Sequence, residues 1–209
     1  MQGLIGKKIG MTRIFSENGK AVAVTVIQAG NNIVHQLKTK EKDGYVAVQL
    51  GFEDLAEKKV TKAIAGHCKK NASVPTYVVK EFDLDSEDEQ LKSGQRIGVE
   101  SLENVKFVNV VGVSKGRGHT GTIKRYNFQR GRETHGNTNV RERGSSGANT
   151  YPARVMPGLK MSGQSGNAQV TVRRLEIVGL DKDAGLLFVK GAVPGRNRGY
   201  LYIQKTIIK

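Results

Sequence analysis

The chain has 209 residues and a formal net charge of +15, with 34 Lys and Arg against 19 Asp and Glu and a pI near 10.0. That length can bury enough surface to fold without a disulfide or a metal, and a lone cysteine, Cys68, excludes an intrachain disulfide and suits a reducing compartment. Such an excess of cations repels itself unless a polyanion neutralises it. No run approaches the ~18–20 apolar residues of a spanning helix, so nucleic acid is favoured over a membrane. The opening residues lack a basic stretch followed by an apolar core, so no secretory signal peptide is expected.

Taken in chain order, the first strand signal is the β-branched run 21–27, preceded by Glu17-Asn18-Gly19, where Asn-Gly favours a hairpin turn. Residues 33–37 continue the rhythm, as do residues 45–50 after Lys42-Asp43-Gly44. A helix is expected over 60–70 with Thr61 as its cap, then extended chain over 74–82. The acidic run 83–89 lacks the glycine that a calcium loop needs at its sixth position, and is expected to be a solvated connector. Strands are expected again at 95–100 and 105–114. Over 115–166 apolar periodicity disappears and Gly, Ser, Asn, Thr and Arg take over; strands return at 169–178, 186–189 and 200–208. Many short strands with frequent turns imply an antiparallel β-barrel or sandwich. The middle segment far exceeds the usual connection of ~4–6 residues, so it is either functional or disordered.

Its chemistry favours function. Ten cations lie in it (Lys115, Arg117, Lys124, Arg125, Arg130, Arg132, Arg141, Arg143, Arg154 and Lys160) against Glu133 and Glu142, a net +8. Seven of the ten are Arg, whose planar fork matches phosphate oxygens in pairs and stacks on bases. Interspersed glycines let the backbone approach an anion closely, and Tyr126, Phe128, His119, His135 and Tyr151 offer surfaces for unpaired bases. Inert linkers carry few such groups, so the segment is expected to be poorly ordered alone and to become fixed between RNA helices.

Catalytic readings have little support. Gly116-Arg117-Gly118-His119-Thr120-Gly121 spells a dinucleotide motif, but basic loop follows it, and Glu142 at the ribose distance sits between two arginines with no strand around it. As a phosphate loop it has Thr122 where the essential lysine belongs. His35, His67, His119 and His135 show no metal-ligand spacing with one another or with Cys68. No enzyme activity, cofactor or metal is expected.

Several motifs belong together, beginning with Gly3-Leu4-Ile5-Gly6-Lys7-Lys8-Ile9-Gly10-Met11-Thr12-Arg13-Ile14-Phe15. The strongest signature comprises Asn109, Gly112, Ser114, Gly116-Arg117-Gly118, Gly121 and Arg125. Further motifs are Thr134-His135-Gly136, Gly144-Ser145-Ser146-Gly147-Ala148, Lys160-Met161-Ser162-Gly163-Gln164 and Val189-Lys190-Gly191-Ala192-Val193-Pro194-Gly195. In these residues the chain resembles the bacterial form of the third large-subunit ribosomal protein family. The resemblance implies a mainly β fold with some α: a translation-factor-like antiparallel β-barrel with a small α/β region and a long extended basic loop. The body would then be 1–114 with 167–209, including an α/β insertion at about 38–92, and the RNA-penetrating loop would be 115–166.

By the same resemblance the protein is a constituent of the large ribosomal subunit in the cytoplasm. It binds large-subunit rRNA near the 3′ end, assists early assembly, touches neighbouring large-subunit proteins and sends its loop toward the peptidyl transferase centre. Neither a membrane nor a small-molecule substrate is expected. Charge and resemblance together assign rRNA contact to Lys7, Lys8, Arg13, Lys115, Arg117, His119, Lys124, Arg125, Arg130, Arg132, His135, Arg141, Arg143, Asn149, Arg154, Lys160 and Arg173. Some members carry a methylated glutamine near the loop tip, where this sequence places Thr150, so that modification is expected to be absent. The alternative reading is a general nucleic-acid chaperone or architectural protein.

Overall fold

A computed structural model describes residues 2–84 and 91–206; the acidic residues 85–89 and the end of the last expected strand, 207–208, lie outside the described residues. The chain divides into two compact units, Met1–Val113 with Gln169–Lys209, and Ser114–Ala168.

The first unit is mainly β. Six strands close an antiparallel barrel: β1 (Gly3–Phe15), β2 (Ala21–Gln28), β7 (Phe107–Val113), β10 (Gln169–Asp181), β11 (Leu186–Lys190) and β12 (Tyr200–Lys205). Around the ring the order is β1, β12, β7, β10, β11, β2, and closure leaves no barrel edge to aggregate. The expected Asn-Gly turn is present between β1 and β2. Gly19 takes φ 72 there and donates its N–H to the Ser16 carbonyl at 2.8 Å. A four-stranded sheet, in the order β5, β4, β3, β6, is built from β3 (Asn32–Lys38), β4 (Ala47–Asp54), β5 (Thr76–Asp83) and β6 (Arg96–Ile97). Two helices join its strands, α1 (Lys40–Asp43) and α2 (Lys62–Lys70). Thr61 caps α2 as expected, its hydroxyl accepting from the Ile64 N–H at 3.4 Å.

One expected strand is corrected. Residues 95–100 form only the two-residue β6, and the chain then turns into a 3-10 segment, Val99–Leu102. Val99 and Leu102 are both buried, and their three-residue spacing places them on the same side of a 3-10 turn rather than on opposite faces of a strand.

Barrel and sheet share one core. Leu4, Ile27, Val110, Leu187, Leu201 and Ile203 belong to the same apolar cluster as Leu50, Phe52 and Phe82 of the sheet. Each fully buried aliphatic side chain contributes about 1.5–3 kcal/mol. Asn32 joins the two layers. Its Oδ1 accepts from the Ile5 N–H at 2.9 Å, and its Nδ2 donates to the Ile5 and Ala29 carbonyls, each at 3.0 Å. A buried side chain thus satisfies both backbone groups of a barrel residue. Asn32→Ala strands all three groups, so urea unfolding is expected to show a loss of about 3 kcal/mol. A loss under about 1 kcal/mol would show that water takes over the role of the amide.

A bulge in β3 at His35 turns its imidazole inward. The ring nitrogens meet Ser73 Oγ at 2.8 Å and Thr76 Oγ1 at 2.7 Å. Burial, with the His67 ring nearby as a secondary cause, holds its pKa below the ordinary histidine value. The folded state therefore favours neutral His35, while the unfolded chain takes up a proton near pH ~6.5. This stability is fully present above that pH and is lost as pH falls from there toward the folded value. The melting temperature should fall on acidification below pH ~6.5, and His35→Gln should flatten that dependence. Identical pH profiles for the two proteins would assign the acid sensitivity elsewhere.

Candidate nucleic-acid interface

The second unit, Ser114–Ala168, is inserted between β7 and β10, whose ends pair at Val113 and Gln169. Its two chain segments run together at the root. Ser114 N–H donates to Ala168 at 2.9 Å, Arg117 N–H to Ser165 at 2.8 Å, and Ser165 N–H to Gly118 at 2.9 Å. The ladder ends in β8 (His119–Thr120) paired with β9 (Gly163–Gln164), and one short helix, α3 (Thr122–Tyr126), follows β8. The apparent dinucleotide motif is therefore one side of this ribbon: the Arg117 N–H is spent on the returning chain instead of facing a phosphate. Gly166, at φ 69, permits the close approach, since a Cβ there would fall on the Lys115 carbonyl. Asn127, at φ 58, ends α3 in the left-handed region.

Beyond α3 the chain is held by turns. Gly131 N–H donates to Val140 at 2.9 Å, Asn137 Nδ2 to the Arg132 carbonyl at 2.6 Å, and Ser145 Oγ to the Gly147 carbonyl at 3.0 Å. Little apolar burial supports these turns, and Tyr151 is 90% exposed.

Electrostatics distinguish the two units. The first carries 24 Lys and Arg against 17 Asp and Glu, and among its described residues five cations have a carboxylate partner: Lys7 with Glu53, Lys38 with Glu81, Arg96 with Asp54, Lys182 with Glu103 and Lys190 with Glu176; the second carries ten cations against two carboxylates. In the second, Arg130 pairs with Glu133, and the other nine cations have no carboxylate at ion-pair distance among the described residues. Arg125 is the exception in role. Its guanidinium donates to the Met161 carbonyl at 2.9 Å, lies 5.0 Å from the Tyr126 ring centre, and crosses from α3 to the strand returning into β9. Lys160 flanks the same ring at 5.9 Å, and Phe128 lies 6.5 Å from it. Arg125 thus braces the unit while keeping part of its fork exposed. Arg141 and Arg143 line a cleft of about 320 Å³ with Gly121, Thr122, Met161 and Ser162, where an anion would meet two guanidinium groups and a hydroxyl. A smaller cleft of about 230 Å³ gathers Arg154 with residues 146–148 and 153–155.

The remaining expected contact residues divide by place. Lys115, Arg117, His119, Lys124, Arg132, His135, Asn149, Arg154 and Lys160 are exposed in the second unit, with His135 at φ 62. Arg13 and Arg173 are exposed on the barrel unit, Arg13 over Phe15 on β1 and Arg173 at the β10 bulge between Val172 and Leu175. Lys7 is neutralised by Glu53, whose carboxylate also accepts from Tyr200 at 2.6 Å and is held below the usual carboxylate range, first by Lys7 and then by Tyr200. Lys8 departs from expectation. It is buried, and its ammonium donates to the Val193 and Gly195 carbonyls at 3.1 and 3.4 Å, so its charge is directed into the fold. A run of cations in sequence does not reveal which one faces inward. Arg196 and Arg198 are also exposed, in the connection between β11 and β12, where an isolated pair does not stand out by charge density in the sequence.

Among the described residues no helix is long and apolar enough to cross a membrane, and no cluster of three His, Cys, Asp or Glu could hold a metal ion. Comparison with known proteins gives a consistent result. The family model described as Ribosomal protein L3 matches residues 77–187, which include β7 and the whole second unit. Three curated relatives carry the name large ribosomal subunit protein uL3. The protein of Heliobacterium modesticaldum is 48% identical over 99% of this chain and 97% of its own length. That of Desulforapulum autotrophicum is 46% identical over 99% of both, and that of Solibacter usitatus 44% over 98% of both. A family model matching more than half of the chain and relatives this similar along its whole length place the chain in the L3 (uL3) family of large-ribosomal-subunit proteins.

Proposed function

We propose that this protein is a structural, non-catalytic constituent of the large ribosomal subunit that binds large-subunit rRNA directly, chiefly through the unit Ser114–Ala168. The observation that carries this reading is the excess of ten cations over two carboxylates in that unit, on a glycine-rich chain whose residues are mostly exposed. Such a surface gains most by meeting a dense line of phosphates, with arginine forks spanning paired oxygens. The cleft holding Arg141 and Arg143 is suited to one phosphate group. Recognition then follows RNA shape and backbone more than base identity.

In this reading the unit settles between rRNA helices near the 3′ end of the molecule early in assembly and reaches toward the peptidyl transferase centre. The barrel and sheet meet neighbouring large-subunit proteins. The protein works in the cytoplasm as part of the subunit, with no membrane or small-molecule substrate.

Limited proteolysis of the full chain, alone and with a large-subunit rRNA transcript, tests the reading. Cleavage within 127–162 should be fast in the free protein and suppressed by the transcript, but not by an equal mass of duplex DNA. Equal resistance under all three conditions would remove the RNA-ordered arm, and equal protection by DNA would favour a general chaperone.

A further inference from the structure

We propose that the turn at residues 196–199, between β11 and β12, is a second phosphate-binding site for a stretch of RNA backbone separate from that held by Ser114–Ala168; this rests on the rRNA-binding reading above.

The turn is held in place from both sides. Gly199 N–H donates to the Arg196 carbonyl at 3.1 Å, closing it. The backbone of Lys8 brackets it, its N–H donating to Gly199 at 2.9 Å and its carbonyl accepting from the Arg198 N–H at 2.6 Å. Below it, the buried Lys8 ammonium draws in the Val193 and Gly195 carbonyls. Gly195, at φ 93, fits so closely that an added Cβ would sit 2.8 Å from the Val113 carbonyl.

The residue at the tightest point is the informative one. Arg198 adopts φ 64, a conformation that glycine or asparagine takes with little strain and a long side chain takes at a cost. Local strain kept in a rigid turn points to the side chain being used. Arg196 and Arg198 are both exposed, and neither guanidinium has an ion pair among the described residues. With Asn197 between them, the turn offers two forks and an amide donor within three residues. That donor set suits adjacent backbone phosphates.

The test uses the full chain bound to a large-subunit rRNA transcript. An iron chelate that generates hydroxyl radicals is tethered at Asn197→Cys or, separately, at Thr150→Cys; the wild-type protein, whose Cys68 is buried, reports background. Cleavage from both positions, on different rRNA segments, is the expected result. Cleavage from position 150 alone overturns this inference and leaves the proposed function standing, whereas cleavage from neither removes both. Arg198→Gly supplies a second readout, because glycine preserves the turn and removes the fork. Its melting temperature should be unchanged or higher, its rRNA affinity several-fold lower, and its log-affinity against log-salt slope flatter by roughly 0.7–0.9. An unchanged slope and affinity would overturn the proposal.

Discussion

Excising residues 130–160 and joining the ends with a short Gly-Ser linker is expected to weaken binding to large-subunit rRNA by about 10²–10³ at moderate salt. The segment holds six cations, Arg130, Arg132, Arg141, Arg143, Arg154 and Lys160, against Glu133 and Glu142, a net loss of +4. Each phosphate contact releases counterions and contributes roughly 0.7–0.9 to the slope of log affinity against log salt, so the slope should flatten by about 3. The β8–β9 ribbon and the barrel remain in this variant, and the barrel's thermal transition should be preserved. Filter binding across a salt series measures both quantities. A variant with wild-type slope would mean that the excised arginines meet water, and that the RNA contact lies on the barrel or on the root of the second unit.

The second large effect concerns stability. Gly51→Ala is expected to destabilise the protein by about 3–5 kcal/mol and lower its melting temperature by about 10 °C. A Cβ at Gly51 would fall on His35 Nε2 and on Thr76 Oγ1. Neither can yield cheaply: His35 is hydrogen-bonded at both ring nitrogens, and Gly51 lies in β4, paired with Ile33 on one side and Val79 on the other. Removing the ring should relieve the clash, so Gly51→Ala combined with His35→Ala should cost less than the sum of the single changes. Strict additivity would place the damage in the backbone instead.

Much of the β framework was legible because its strands are β-branched runs bounded by turn residues; β2, β7, β10 and β11 fall where the pattern places them. The longest-range failure is β1, thirteen residues that gave no strand signal. Gly3, Gly6 and Gly10 break its pattern, and for the first two the reason is tertiary: a Cβ on Gly6 would lie 2.6 Å from Ile27 Cγ2, and one on Gly3 2.6 Å from the Phe82 ring, whereas Gly10 stands in open space beside the bulge. Glycine at the first two positions allows close packing in the buried first part of the strand, which no local window reports. The root of the basic segment was illegible for a related reason. Its small interior is made by Thr120 and Thr122, which are buried but carry no apolar periodicity.

Charge was legible as a total and only partly as a surface. The concentration of cations over 115–166 could be counted directly, and the structure adds which are already engaged: Arg130 with Glu133 and Arg125 with the Met161 carbonyl. Lys8 was indistinguishable from Lys7 in sequence, yet one faces inward to two carbonyls and the other pairs with Glu53. That difference follows from strand alternation in β1, interrupted by the bulge between Lys8 and Gly10, and becomes readable only once the strand itself is recognised.

The central claim, a ribosomal constituent anchored to rRNA by its basic unit, is tested most directly by crosslinking the protein to RNA in cell lysate and sequencing the attached RNA. Reads concentrated on one region of large-subunit rRNA, and lost when residues 130–160 are removed, are the expected result. Reads scattered over messenger RNA and DNA, unchanged by the deletion, would contradict it.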